Sequence, residues 1–274
     1  MDCDDPLAAR TRVPPDSEGF SLAGIDPRDK LGLPGRKQTE AGFRADVEAI
    51  VDLQNAFHAD GRHALLCIFQ AMDAGGKDGT VRRVFGPVNP AGVRVTSFKK
   101  PSEIERAHDY LWRVHKAVPK TGMIGVFNRS HYEDVLVARV LGLAPLERIE
   151  ERYAQINDFE RHLAQNGVVI RKFYLHISKD EQRQRLQARL DDPTKHWKFN
   201  PGDIATRRRW DEFLAAADLA LARCSTEHAP WYVVPADRKW VRNAVVARII
   251  RRTIEALDPQ YPPLDESEAG LIID

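Results

Sequence analysis

Ala64-Leu65-Leu66-Cys67-Ile68-Phe69, running straight into Gln70-Ala71-Met72-Asp73-Ala74-Gly75-Gly76-Lys77-Asp78-Gly79-Thr80, is the stretch that decides the fold. An apolar run without polar interruption reads as a strand buried on both faces, as in a parallel sheet. Small residues then stop it, and a helical pattern opens near Asp78. Strand, glycine loop and helix start in register make a phosphate cradle. Backbone N–H groups curl around phosphate oxygens, the positive end of the helix dipole faces them, and Lys77 reaches between adjacent phosphates. The candidate phosphate-binding residues are Ala74, Gly75, Gly76, Lys77, Asp78, Gly79 and Thr80. Against the pattern GxxxxGK[ST], Ala71 stands where the first glycine belongs and Asp78 replaces the hydroxyl that usually ligates Mg²⁺.

Outward from this stretch the alternation repeats. Four more short apolar runs lie at 93–98, 123–127, 168–177 and 231–234, separated by helical patterns at 78–86, 102–118, 132–165, 179–190, 203–223 and 237–256. Strand alternating with helix predicts an α/β fold, a doubly wound parallel sheet of five strands. Before it, apolar residues Phe43, Val47, Ile50, Val51 and Phe57 recur at helical spacing between 38 and 58. Residues 1–37, with five prolines and no periodicity, read as an irregular arm that drapes over the domain or is partly mobile. Residues 38–256 form the main domain, and 257–274 an acidic tail.

Polar residues at strand ends supply the candidate chemistry, because open α/β sheets bind ligands beyond the carboxyl ends of their strands. A carboxylate among phosphate-binding amides is repelled unless a cation joins it, so Asp73 points to Mg²⁺, with helix capping as the competing role. Asn128-Arg129-Ser130-His131-Tyr132-Glu133-Asp134 follows the third run. There the planar fork of Arg129 suits phosphoryl oxygens, Glu133 or Asp134 could hold metal through water or neutralise an arginine, and His131 reads as structural. Ser178 with Glu181 reads as a capping box that starts a helix carrying Arg185 and Arg189 on one face. With Pro193, Lys195, Trp197 and Lys198 this makes a basic lid over about 179–207. Lys99 and Lys100, past the second strand, are further anion contacts, whereas Arg207, Arg208 and Arg209 read equally as a solvated helix face.

Composition narrows the classes. Across 274 residues, 43% hydrophobic and 30% charged side chains exclude disordered and collagen-like chains. Lys plus Arg number 41 against 40 Asp plus Glu, so no global charge argues for nucleic acid or an anionic membrane. The basic excess is local, between 171 and 209, and suits a cleft for a polyanionic ligand. Three cysteines without a CxxC pair indicate neither a disulfide framework nor a zinc cage, and Cys67 in its buried strand reads as packing. An acidic N-terminus and the lack of a long apolar run predict a cytoplasmic protein without a membrane span. No HExxH, nucleophile elbow or GxGxxG follows a strand, which removes support for zinc peptidase, hydrolase and dinucleotide-binding readings.

Four motifs in order resemble the polyphosphate kinase 2 family: Met72 to Thr80, Phe127 to Asp134, Lys195-His196-Trp197-Lys198 and Pro235-Ala236-Asp237-Arg238-Lys239-Trp240. The resemblance spans about Gly42 to Arg252 and implies a P-loop kinase fold of thymidylate-kinase-like architecture with a helical lid. It also implies Mg²⁺ (Mn²⁺ as a substitute) and reversible transfer of the terminal phosphoryl group of inorganic polyphosphate to a nucleotide. A homodimer or homotetramer is expected because open-sheet kinases often dimerise and the arm over 1–37 could reach a neighbour. Asp73, Lys77, Arg129 and Arg189 are then catalytic; Lys99, Asn128, Arg185, Lys195 and Lys198 join the phosphate loop in binding. Many members carry Asp-Arg-Ser-Trp-Tyr-Asn-Arg in the second motif, so Asn128 removes a metal-ligating carboxylate that Glu133 or Asp134 would replace. This variant resembles the subgroup that phosphorylates both AMP and ADP to ADP and ATP. The rivals are an ATP-dependent nucleoside monophosphate kinase, separated by its donor, and a non-catalytic polyphosphate or RNA binder, separated by lack of turnover.

Overall fold

A computed structural model describes residues 5–264. The chain enters through α1 (Pro6–Thr11) and α2 (Arg36–Asp60), then builds β1 (Ala64–Gln70), α3 (Lys77–Phe85), β2 (Val93–Ser97), α4 (Glu103–Arg106) and α5 (Trp112–His115). It continues with β3 (Ile124–Asn128), α6 (Val137–Leu141), α7 (Leu146–Gln165) and β4 (Val168–His176). The last third holds α8 (Lys179–Leu190), α9 (Pro201–Arg208), α10 (Trp210–Cys224), β5 (Trp231–Pro235) and α11 (Lys239–Ala256).

All five strands run parallel in the order β2-β3-β1-β4-β5. Every residue of β1 is buried, as its unbroken apolar run predicts for a central strand. Phe69 at its end stacks on Phe173 of β4, centroids 5.1 Å apart. β2 departs from expectation: it forms the sheet edge, Arg94, Val95 and Ser97 are exposed, and only Val93 and Thr96 are half-buried. Neither face is covered along its length: Val95 is exposed although it shares a face with half-buried Val93, because an edge strand has a neighbour on one side only. The helices fall into two packing groups, α2 with α3 and α11, and α7 with α6 and α10, the two layers of a doubly wound sheet.

Three predicted helices are broken by local chemistry. The 102–118 pattern yields only α4 and α5, because the Asp109 carboxylate accepts from the Leu111 and Trp112 N–H groups and turns the backbone between them. The 132–165 pattern becomes a 3₁₀ turn over His131–Asp134, then α6, then α7, with left-handed Gly142 closing α6 and Pro145 capping α7. The 203–223 pattern divides at Arg209 into α9 and α10.

The arm lies on its own chain. Val13 N–H donates to the Trp231 carbonyl (2.8 Å) and Ser225 Oγ donates to the Val13 carbonyl (2.6 Å), while Ala8, Val13 and Leu22 are buried. Of the acidic tail, residues 265–274 lie outside the described residues. Cys67 and Cys224 are buried free thiols, and burial pushes both up to about 12, so neither serves as a nucleophile at neutral pH; Cys3 is not among the described residues. Among the described residues no helix is long and apolar enough to cross a membrane.

Candidate active site

The candidate phosphate loop, as the backbone stands, has room for no side chain at two of its glycines. A Cβ on Gly75 would lie 2.5 Å from the Ala71 Cβ and 2.8 Å from the Met72 carbonyl oxygen. Gly76 has φ +104°, and a Cβ there would collide with the Arg242 guanidinium. Ala74 adopts φ +58° without being glycine, so the loop is strained where it curls. At the start of α3, Lys77 Nζ donates to the Ala71 carbonyl (2.9 Å). Burial and the Arg129 charge lower its pKa to about 8, against the opposing pull of Asp73, Glu133 and Asp78.

β1 and β3 end side by side, Phe69 opposite Asn128, which brings the second motif to this loop. Arg129 N–H extends the ladder to the Phe69 carbonyl (3.0 Å), but its φ of +63° turns the side chain's backbone out of the sheet plane. Its guanidinium then bridges two carboxylates, Nη2 to Asp73 Oδ1 and Nη1 to Glu133 Oε2, both at 3.0 Å. Glu133, burial notwithstanding, and Asp73 raise its pKa further. Asn128 Nδ2 donates to Asp78 Oδ1 and so ties the end of β3 to the first turn of α3. Asp134 instead lies 3.8 Å from Arg152, with burial raising its pKa.

Behind the second motif is a buried ionic cluster. Lys172 Nζ, fully buried, donates to Tyr132 Oη (2.7 Å), to Glu160 Oε2 and to the Cys224 carbonyl. Tyr132 Oη donates in turn to Glu160 Oε1 (3.0 Å), which also meets His131 Nε2 at 3.2 Å. Burial alone would raise the Glu160 pKa, but Lys172 and His131 outweigh it and hold the carboxyl below its usual value. His131, wholly inaccessible, belongs to this scaffold.

The segment expected to form the lid consists of α8, a 3₁₀ turn over Pro193–Lys198 and α9. Arg189 Nη1 donates to Asp203 Oδ2 (3.0 Å) and to the Lys198 carbonyl (3.2 Å), which fastens the lid's two ends together. Lys195 pairs with Asp192 at 2.6 Å, and Lys198 lies over the Trp197 ring, 4.8 Å from its centroid. Arg185 has a different setting: its guanidinium donates to the carbonyls of Ala74 and Gly75 (3.1 Å each) and of Ala236 (2.6 Å). It staples the phosphate loop to the end of β5. Arg207 and Arg209 are engaged by Gln182 and Glu212.

These elements enclose a cleft of about 1290 Å³. Asp73 through Gly79, Lys99, Asn128, Arg129, Glu133, Arg185, Arg189, Lys195 and Lys198 all line it. Thr80 does not: it is fully buried, and its hydroxyl donates to the Gly76 carbonyl (3.2 Å), because one turn into α3 the side chain points back along the helix. The lining also holds Lys239, part of the fourth motif but given no site role in the sequence, and residues that sequence reading passes over, among them Asp203 and an apolar wall of Val137, Ala138, Leu141 and Leu143. Gln182, whose amide donates to the Asp73 carbonyl (2.9 Å), and Arg242, packed against Gly76, support the loop from behind. Spacing could have flagged Lys239, which starts a helix after a strand; the others depend on tertiary contact. No group of three or more His, Cys, Asp or Glu side chains converges among the described residues. Asp73 and Glu133 are nonetheless hard oxygen donors facing the cleft, and one or two carboxylates completed by phosphates and water are the usual setting of Mg²⁺.

Residues 35–262 match the family described as Polyphosphate kinase 2 (PPK2). The chain is 51% identical over 264 residues to an AMP/ADP-polyphosphate phosphotransferase of Meiothermus ruber, covering 96% of this chain and 98% of that one. It is 46% identical over 232 residues to an ADP-polyphosphate phosphotransferase of Rhodopseudomonas palustris, 80% of each. The crystal structure of a polyphosphate kinase 2 from Arthrobacter aurescens superposes with a TM-score of 0.91 at 44% identity, covering 97% and 94% of the two chains.

Proposed function

Because the chain belongs to the polyphosphate kinase 2 family and is therefore an enzyme, we propose that it transfers the terminal phosphoryl group of inorganic polyphosphate to AMP and ADP, giving ADP and ATP. The observation that carries this reading is the junction of the phosphate loop and second motif: Lys77 beside an Arg129 guanidinium that spans Asp73 and Glu133. Phosphoryl transfer asks little covalent chemistry of a protein; it needs in-line alignment and cations where charge accumulates. Lys77 and Arg129 meet the oxygens of the transferred group, and the lid residues Arg189, Lys195 and Lys198 hold the donor chain. The apolar wall of Val137, Leu141 and Leu143 takes the nucleoside, and Asp73 orients the acceptor phosphate. Mg²⁺, or Mn²⁺ in its place, would be held by Asp73 and Glu133 with the phosphates, where it supplies charge neutralisation between donor and acceptor. The reading includes a cytoplasmic homodimer or homotetramer.

The test is incubation of the protein with Mg²⁺, long-chain polyphosphate and AMP, with no ATP present, and separation of the nucleotides by chromatography. ADP followed by ATP is expected. Lys77→Ala, folded by circular dichroism, loses about 10³-fold in rate, as removal of one preorganised charge from a transition state does. Product formed only from ATP plus AMP would assign the fold to an ordinary nucleotide kinase instead.

A further inference from the structure

Next to the cleft, along the open edge of the sheet, runs a second groove of about 360 Å³. It joins the cleft at Ser97, Phe98, Lys99, Lys100 and Arg113, which line both, and continues outward past Thr96 to Arg94 and Lys116, which line the groove alone. Five cations and a single carboxylate, Glu105, surround it. That carboxylate is committed to the Ser102 N–H (2.7 Å) in the cap of α4 and stays 3.9 Å from Arg113.

What sets these cations apart is their gathering along one groove that opens into the cleft, whereas other surface cations either sit on carboxylates, as Arg36 does on Glu40 and Arg248 on Asp46, or stand exposed outside it, as Arg82 and Arg183 do. Here the side chains of Arg94, Lys99 and Lys100 have no hydrogen-bond or ion-pair partner among the described residues. Lys116 lies over the Trp112 ring, 4.1 Å from its centroid, and within electrostatic reach of Glu105. Arg113 is fixed over the Phe98 ring and donates to the Lys99 carbonyl (2.8 Å), so it holds the row of cations at the end of β2. Five cations gathered about one carboxylate repel one another, and the arrangement suits a ligand that brings the opposite sign repeatedly.

We propose that this groove binds phosphates of the polyphosphate chain that extend beyond the catalytic cleft, an inference that rests on the function proposed above. A linear polyanion has one charge pattern along its whole length, so a continuous basic track contiguous with the transfer site fits it. Single-stranded nucleic acid fits less well, since it needs open aromatic faces for its bases. Phe98 is buried, and the Trp112 ring is covered by Lys116 and by His108, stacked at 4.0 Å.

Arg94 and Lys116 are exposed and lie outside the cleft, which makes them suitable for charge reversal. The full-length enzyme and its Arg94→Glu/Lys116→Glu double variant are compared at saturating AMP, with a long-chain polyphosphate and with a short linear oligophosphate that the cleft alone accommodates. The groove predicts a KM for the long chain raised about tenfold in the variant, an effect that shrinks with added salt. The KM for the short oligophosphate, the KM for AMP and kcat then stay as in the parent. Equal KM shifts for both chain lengths, no shift for either, or a shift confined to AMP would overturn the inference. Failure of the parent to use any polyphosphate would overturn the functional reading itself, and the two failures are thereby told apart.

Discussion

Lys77 is an ammonium in a nearly closed site, with one guanidinium and three carboxylates within electrostatic reach, and burial brings its pKa to about 8. A lysine with a lowered pKa is charged below that value and loses its proton as pH rises through it. kcat/KM for polyphosphate, which reports the free enzyme, should therefore fall above about pH 8, whereas kcat should decline only at higher pH because bound phosphates favour the ammonium again. Initial rates at low and saturating polyphosphate across that range check this, and parallel profiles would contradict it. At this scale much of the site is legible from sequence, because a glycine loop, a lysine and a polar strand end each have a local spacing. Arg242 is not legible: it lies in a helix far along the chain, and its role depends on the missing side chain of Gly76.

Among the elements, the join between lid, arm and sheet concentrates on one carboxylate. Asp237, just past β5, accepts from Ser178 N–H and Ser178 Oγ (2.8 Å each) at the start of α8, and from Arg28 Nε of the arm (3.3 Å). Its own N–H donates to the Pro27 carbonyl (3.2 Å), and its carbonyl accepts from Arg185, the staple of the phosphate loop. Asp237→Ala leaves the Ser178 N–H unsatisfied and releases the base of the lid, at a cost of about 1–3 kcal/mol. The expected outcome is a KM for polyphosphate raised about tenfold with the KM for AMP unchanged, measured with a melting curve on the same preparation. An unchanged KM with only a lower Tm would reduce Asp237 to a stabilising role. The strands were readable as runs, and α8 from its serine cap, since both signals are local. The breaks inside the long helical patterns were not, because an Asp109 turn and a left-handed Gly142 each interrupt a periodicity that continues beyond them.

For the molecule as a whole, strand count and parallel direction follow from alternation, but the order β2-β3-β1-β4-β5 does not, since no single segment encodes its neighbours. The same holds for the ionic cluster under the second motif, whose members come from β4, α7 and the loop after β3. Glu160, with its pKa lowered by Lys172, contributes stability that is present above the ordinary carboxylate pKa and lost as pH falls through the lowered value. Lys172→Met leaves a buried carboxylate without its cation and should cost about 3–5 kcal/mol, whereas Lys172→Met/Glu160→Leu recovers most of that loss. Urea unfolding of the parent and of all three variants, Glu160→Leu included, completes the cycle. Additive losses would show that the two groups are not coupled.

The burial of Cys67 and Cys224 has an experimental use. Thiols held near a pKa of about 12 offer almost no thiolate at neutral pH. With Cys3 exchanged for serine, the folded chain becomes a silent background for maleimide chemistry. Trp197, 78% exposed on the lid, is then a position where one introduced cysteine can carry a fluorophore. Its emission would report lid movement in real time, separately from turnover.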